Sequence, residues 1–129
     1  MKLTRSFDST EFACRCKCGG NVTMDFARRM QELRDACGFA LPISSGFRCS
    51  THNKSKAVGG APDSRHLYGD AADISTASMT SLQKLQLINH ATQLGFTGIG
   101  LAPGFIHVDT RQGPVTLWFY PQGKISGKL

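Results

Sequence analysis

The chain has 129 residues, of which 40% are apolar and 19% charged. Those proportions belong to a soluble globular protein and exclude a disordered or collagen-like chain. No apolar run approaches the ~20 residues that cross a bilayer, and the length argues for a single domain, 1–129, able to bury a core without several disulfides. Fifteen Lys and Arg against nine Asp and Glu leave a net charge of +6. A surplus of that size favours polyanionic partners: nucleic acid, an anionic membrane or an acidic wall polymer. The basic residues are scattered, though. The nearest approach to a cluster is Arg5, Arg15 and Lys17, with Lys124 and Lys128 at the far end, and a dedicated nucleic-acid binder shows a denser basic stripe interleaved with aromatics.

The opening Met-Lys-Leu-Thr-Arg-Ser-Phe-Asp is too polar for the apolar centre of a secretory signal, so the expectation is cytoplasmic synthesis without membrane insertion. Next come Cys14, Cys16 and Cys18, followed by Gly19-Gly20; Cys37 and Cys49 stand apart. Five cysteines cannot all pair within one chain. The triplet suggests a structural metal knuckle, but such sites present matched cysteine pairs, and no second pair exists here. The competing reading is buried thiols with one disulfide, from the triplet to Cys37 or Cys49.

Residues 21–38 read as a helix. Thr23 is its N-cap, Phe26, Met30, Leu33 and Cys37 recur at helical spacing, and Gly38 terminates it. Leu41–Ser45 reads as a short strand. Residues 46–70, rich in Gly, Ser, Asn and Arg, form a loop of a length that is usually functional. A strand over Ala71–Ser75 leaves that loop. A second helix over 80–94 carries Leu82, Leu85, Ile88, Ala91 and Leu94 and is closed by Gly95. Three short strands, Thr97–Leu101, Phe105–Thr110 and Val115–Phe119, are separated by Pro-Gly and Gly-Pro punctuation. The sum is an α+β domain, a small, mostly antiparallel sheet with helices packed on one side.

Two segments carry chemistry: Ser64-Arg-His66-Leu-Tyr-Gly69-Asp-Ala-Ala-Asp73 and Phe105-Ile-His107-Val-Asp109. Gly69 permits a sharp turn between His66 and Asp73. Ala71, Ala72 and Ile74 bracket Asp73, so a carboxylate is carried into buried surroundings, where a cation offsets the cost. On the second strand His107 and Asp109, two apart, share a face, with Ile106 and Val108 on the other. His66, Asp73 and His107 make a three-ligand set with a fourth position for water, the pattern of a catalytic zinc. The plainer alternatives are hydrogen-bonded core histidines and an Asp109 that caps a turn or pairs with Arg111. His52 reads as loop support and His90 as solvated.

Ser45-Gly-Phe-Arg48, Ser64-x-His66-x-x-Gly69-x-Ala71-x-Asp73 and Phe105-Ile-His107-Val-Asp109 resemble the three signature blocks of the zinc D-Ala-D-Ala carboxypeptidases. That group shares its fold with murein endopeptidases, peptidase-type phage endolysins and the Hedgehog signalling domain. Phe7–Cys14 before a Cys-Gly, then a helix leading to Leu-Arg-Asp-x-x-Gly, is similar as well, so the resemblance runs through nearly the whole chain. It implies that His66, Asp73 and His107 ligate zinc, that Arg48 faces substrate, and that Ser64 contacts substrate or supports the ligands. Several relatives carry Glu or Asp three residues before the last His, where this chain has Gly104, and its two glutamates, Glu11 and Glu32, lie far off in the N-terminal part. The candidate general base is therefore Asp109, with orientation of His107 as the other reading of that residue; Asp70 and Asp63 are distant alternatives.

The leading expectation is a monomeric zinc peptidase that hydrolyses stem peptides or cross-links of bacterial peptidoglycan, of phage endolysin or carboxypeptidase type. Water would attack a carbonyl next to a D-amino acid, with Arg48 at the oxyanion or the substrate carboxylate. The alternative is a zinc-binding module of the same fold that binds cell wall without hydrolysis. A basic nucleic-acid binder built on the Cys14–Cys18 knuckle is a third possibility, and both alternatives rank well below the peptidase.

Overall fold

The computed structural model describes residues 1–54 and 64–120. Asp63, Lys124 and Lys128 lie outside the described residues. In chain order the elements are α1 (Ser9–Phe12), α2 (Met24–Cys37), β1 (Ile43–Ser45), α3 (Ser50–Lys54), a 3-10 turn (Arg65–Tyr68), β2 (Ala71–Ser75), α4 (Ser81–Gln93), β3 (Gly98–Leu101), β4 (Phe105–Asp109) and β5 (Thr116–Phe119). The strands form one sheet in the order β1-β2-β4-β3-β5. Every neighbouring pair is antiparallel except β3 and β5, which are parallel. This is the α+β class expected from the sequence.

Local chemistry explains the helix boundaries. The Thr23 hydroxyl accepts from the Phe26 N–H at the start of α2, and Gly38 closes that helix in the left-handed region at φ 75°. Thr80 and Gln83 exchange reciprocal hydrogen bonds as a capping box at the start of α4. Along α2, Phe26, Ala27, Met30 and Leu33 are buried at helical spacing. On α4 the buried residues are Leu87 and Ala91, whereas Leu82 and Leu85 face solvent. That corrects the expected apolar stripe.

The pleat sorts the sheet residues to two faces. Ala72 and Ile74 of β2, Ile106 and Val108 of β4 and Ile99 of β3 join the core with α2 and α4. Phe7, Phe12, Phe26 and Phe96 extend it as a chain of ring contacts 5.0–6.4 Å apart. The opposite face is left to Asp73, His107 and Asp109, the alternate residues of the same strands. Register aligns them: Asp73 lies across from His107 on β2–β4, and Gly98 and Gly100 of β3 lie across from Asp109 and His107.

Candidate metal centre

Three donors converge on this outer face. Asp73 Oδ1 stands 2.9 Å from His107 Nδ1 and 3.2 Å from His66 Nε2, and all three donor atoms lie within 4.8 Å of one another. The sheet register supplies two of the three. The third arrives on the 3-10 turn, which is capped by Ser64 before it and by Gly69 after it at φ 73°. His66 is buried there despite belonging to a connecting segment.

The outer nitrogen of each imidazole is engaged in turn. His66 Nδ1 lies 2.6 Å from the Gly46 carbonyl oxygen; a carbonyl only accepts, so the proton sits on Nδ1 and the lone pair on Nε2 points inward. His107 Nε2 lies 2.7 Å from Asp109 Oδ2, which presents Nδ1 to Asp73. A tetrahedral ion with bonds of about 2.0–2.1 Å spaces its ligands by roughly 3.3 Å, the scale seen here. Two oriented imidazoles and a carboxylate, each imidazole held by an acceptor behind it, are a donor set suited to zinc.

Electrostatics make the same demand. Burial opposes charge on Asp73, but the neighbouring His66 and His107 rings hold its carboxyl well below the usual range. Burial likewise opposes an imidazolium at His107, yet hydrogen bonds to Asp109 and Asp73 outweigh it and lift the ring to about 9. Arg111 balances Asp109, so Asp73 is the buried carboxylate whose charge a divalent cation between the inner donors would meet.

Asp109 is fully buried and fully occupied. Arg111 Nε and Nη2 donate to its two oxygens at 2.9 and 2.7 Å, the Arg111 N–H adds a third bond, and Oδ2 also faces His107. Burial works against its ionisation, while Arg111 and then His107 hold its carboxyl well below the ordinary range. It sits across the imidazole from Asp73. Asp70 is also engaged, paired with Arg65, whose guanidinium lies 4.3 Å from the centre of the Tyr68 ring.

Arg48 and Ser64 meet beside the donors. The Ser64 hydroxyl accepts from Arg48 Nη2 at 3.3 Å and from the His66 N–H at 3.2 Å, and the Arg48 N–H donates to the His66 carbonyl. Arg48 Nε is buried with no hydrogen-bond partner.

The sequence reading missed the aromatic wall and the glycines. Trp118 lies 5.3 Å from the His107 ring, Arg111 stacks 4.9 Å from the Trp118 ring, and Tyr120 packs on Phe105 at 5.2 Å. A Cβ at Gly98 would stand 2.2 Å from Asp109 Oδ1, and one at Gly100 would stand 2.6 Å from the Trp118 indole. The Gly-Ile-Gly pattern on β3 was the available signal: two glycines on one strand face make room for side chains crossing from neighbouring strands. His90 lies on α4, away from the three donors.

An open sheet with one face packed on helices and the other bearing His, Asp and His around a common point defines a candidate metal-site protein. Residues 5–109 match the peptidase M15 family, and the chain belongs to that family. It is 35% identical over 117 residues to the zinc D-Ala-D-Ala carboxypeptidase of Streptomyces albus G, a match that covers 80% of this chain and 43% of that protein. The chain thus spans less than half the length of this relative.

Proposed function

We propose that this chain is a zinc-dependent peptidase that hydrolyses stem peptides or cross-links of bacterial peptidoglycan, as a carboxypeptidase or as an endolysin-type endopeptidase. The observation that carries the reading is the convergence of His66 Nε2, Asp73 Oδ1 and His107 Nδ1 on one point of the sheet face opposite the helices. Family membership and the name of the Streptomyces relative support it. The net charge of +6 suits a substrate rich in carboxylates and anionic polymers.

Zinc, when bound by these three residues, supplies Lewis acidity and acidifies water at neutral pH. The other tasks fall to the chain. Gly46 and Asp109 fix the two imidazoles from behind. Arg48, held by Ser64 and carrying a buried free Nε–H, offers a fork to a peptide carboxylate or to a developing oxyanion. Trp118 and Tyr120 wall one side of the face and exclude water from it. Asp109, engaged by Arg111, acts as a positioning residue for His107 rather than as the proton acceptor.

A second reading draws on a specific observation. Asp109 and Asp70 are both bound to arginines and Gly104 brings no carboxylate, so no acid on the described part of this face is free to act as a base. A module that binds zinc and cell wall without turnover fits that feature. Digesting purified peptidoglycan and defined muropeptides, with and without a zinc chelator and with masses read by spectrometry, separates the two. The peptidase reading expects chelator-sensitive products whose masses name the bond. Intact wall from zinc-loaded protein would replace it with the binding module.

A further inference from the structure

Outside this face, the other cluster of metal-ligating side chains among the described residues is sulfur. Cys14, Cys16 and Cys18 come from the turn after α1, and Cys49 comes from the segment entering α3. Their four sulfurs lie within 4.8 Å of one another. Cys14 and Cys16 Sγ are 3.3 Å apart, and Cys16 and Cys49 Sγ are 3.5 Å apart. None is in a disulfide. Cys37, the other residue considered for pairing, belongs to α2 and is absent from the cluster.

We propose that Cys14, Cys16, Cys18 and Cys49 form a second metal centre, a structural four-thiolate site for zinc or a similarly soft divalent ion. A tetrahedral site with Zn–S bonds of about 2.3 Å spaces its sulfurs by roughly 3.8 Å, so one ion takes all four close to where they stand. Pairing the four as disulfides would force one bridge inside the five-residue Cys14–Cys18 segment, and disulfide sulfurs sit only about 2.05 Å apart. The chain has no second cysteine pair, but the fold supplies the fourth ligand singly, from Cys49 far along the chain.

The surroundings suit thiolates. The Cys49 N–H donates to Cys14 Sγ at 3.4 Å, the kind of outer hydrogen bond that supports a metal-bound sulfur. The turn is closed by Lys17 N–H to Cys14 O and Cys14 N–H to Gly20 O, and Lys17 adopts φ 64° to make it. Four thiolates on a divalent ion carry a formal charge of −2, and Arg15 and Lys17 alternate with the ligands to offset it.

The site is linked to the first centre through four consecutive residues. The Gly46 carbonyl holds His66, Phe47 N–H donates to Phe12 O, Arg48 N–H donates to His66 O, and Cys49 is a ligand. The Gly20 backbone packs on the Phe47 ring, where a Cβ would come within 2.3 Å. An ion at the cysteines therefore clamps the segment that carries Arg48 and the His66 acceptor to the α1 end of the molecule.

The test is metal stoichiometry with cobalt as a spectroscopic probe. Protein purified under reducing conditions should bind about two ions per chain, and Co(II) should give a thiolate charge-transfer band in the near ultraviolet that histidine and carboxylate ligands cannot produce. Cys18→Ser, at an exposed position, should lose about one ion and most of that band. A His66→Ala/His107→Ala double variant should also lose about one ion yet keep the band, so the failure of one centre is visible apart from the other. A single ion per wild-type chain without the band overturns the proposal. A protein mass lowered by disulfide formation among these four cysteines under the same conditions does so too.

Discussion

Among single residues, Asp109 is the most heavily engaged at the site. Its carboxylate is shared between Arg111 and His107 Nε2, so its chemistry is exerted through the imidazole. Asp109→Asn keeps an acceptor for Nε2–H but removes the charge. Zinc affinity should fall about 10- to 100-fold while the pH limbs of the rate profile stay in place. A lost pH limb with unchanged zinc affinity would restore Asp109 as the base. Gly98→Ala tests the same contact from behind: a Cβ 2.2 Å from Asp109 Oδ1 is fixed to the β3 backbone, so the carboxylate must move. The variant should weaken zinc binding in the same direction, and an unaltered titration would refute the dependence. For Arg48, replacement by Lys keeps the charge and loses the planar fork that Ser64 holds. Turnover should drop about 10- to 100-fold with zinc content intact. The meeting of His66, Asp73 and His107 was legible through the likeness of their two segments to known signature blocks, because spacing alone left hydrogen-bonded core histidines as a plain alternative. The occupancy of Asp109 was not, because it depends on Gly98, Arg111 and Trp118, which only the register of β3, β4 and β5 brings alongside.

Among the elements, α4 shows where periodicity misleads. A stripe of Leu82, Leu85, Ile88, Ala91 and Leu94 uses steps of three, and each step falls about 60° short of a full turn of a helix with 3.6 residues per turn. Over the helix such a stripe winds around to the opposite side. The core instead takes Leu87 and Ala91, spaced by four, with Ile88 and Leu94 at the margin. Leu87→Ala should therefore cost about 2–5 kcal/mol, while Leu85→Ala should stay within about 0.5 kcal/mol. Denaturant midpoints at constant slope measure both, and equal losses would contradict the burial pattern. Helix α2 was readable because its apolar residues combine steps of three and four between a Thr cap and a Gly stop. The expected loop over 46–70 delivers His66 to the donors, but its form was not readable. Its α3 and its 3-10 turn are too short to leave a periodic signal, and the burial of His66 comes from its contact with Gly46 across the fold.

For the molecule as a whole, the sheet works as a partition. Strands β2 and β4 give alternate residues to the helices and to the site, so the donor positions are fixed by the same hydrogen bonds that hold the core. His66, Asp73 and His107 belong to three segments that are dispersed in the unfolded chain, and the arrangement that binds an ion exists only in the native one. Binding should then stabilise the fold by linkage, about 2.7 kcal/mol when free zinc is a hundred times its dissociation constant. Chelation should lower the midpoint of thermal unfolding, and restored zinc should recover it. The His66→Ala/His107→Ala protein should lose the part of that shift belonging to the sheet-face centre and keep the part belonging to the cysteines. A double variant whose zinc response equals that of the parent would mean that the three donors contribute nothing as a preformed site. A partial response divides the stabilisation between the two centres, and its size measures how firmly the Gly46–Cys49 segment is clamped from the cysteine end.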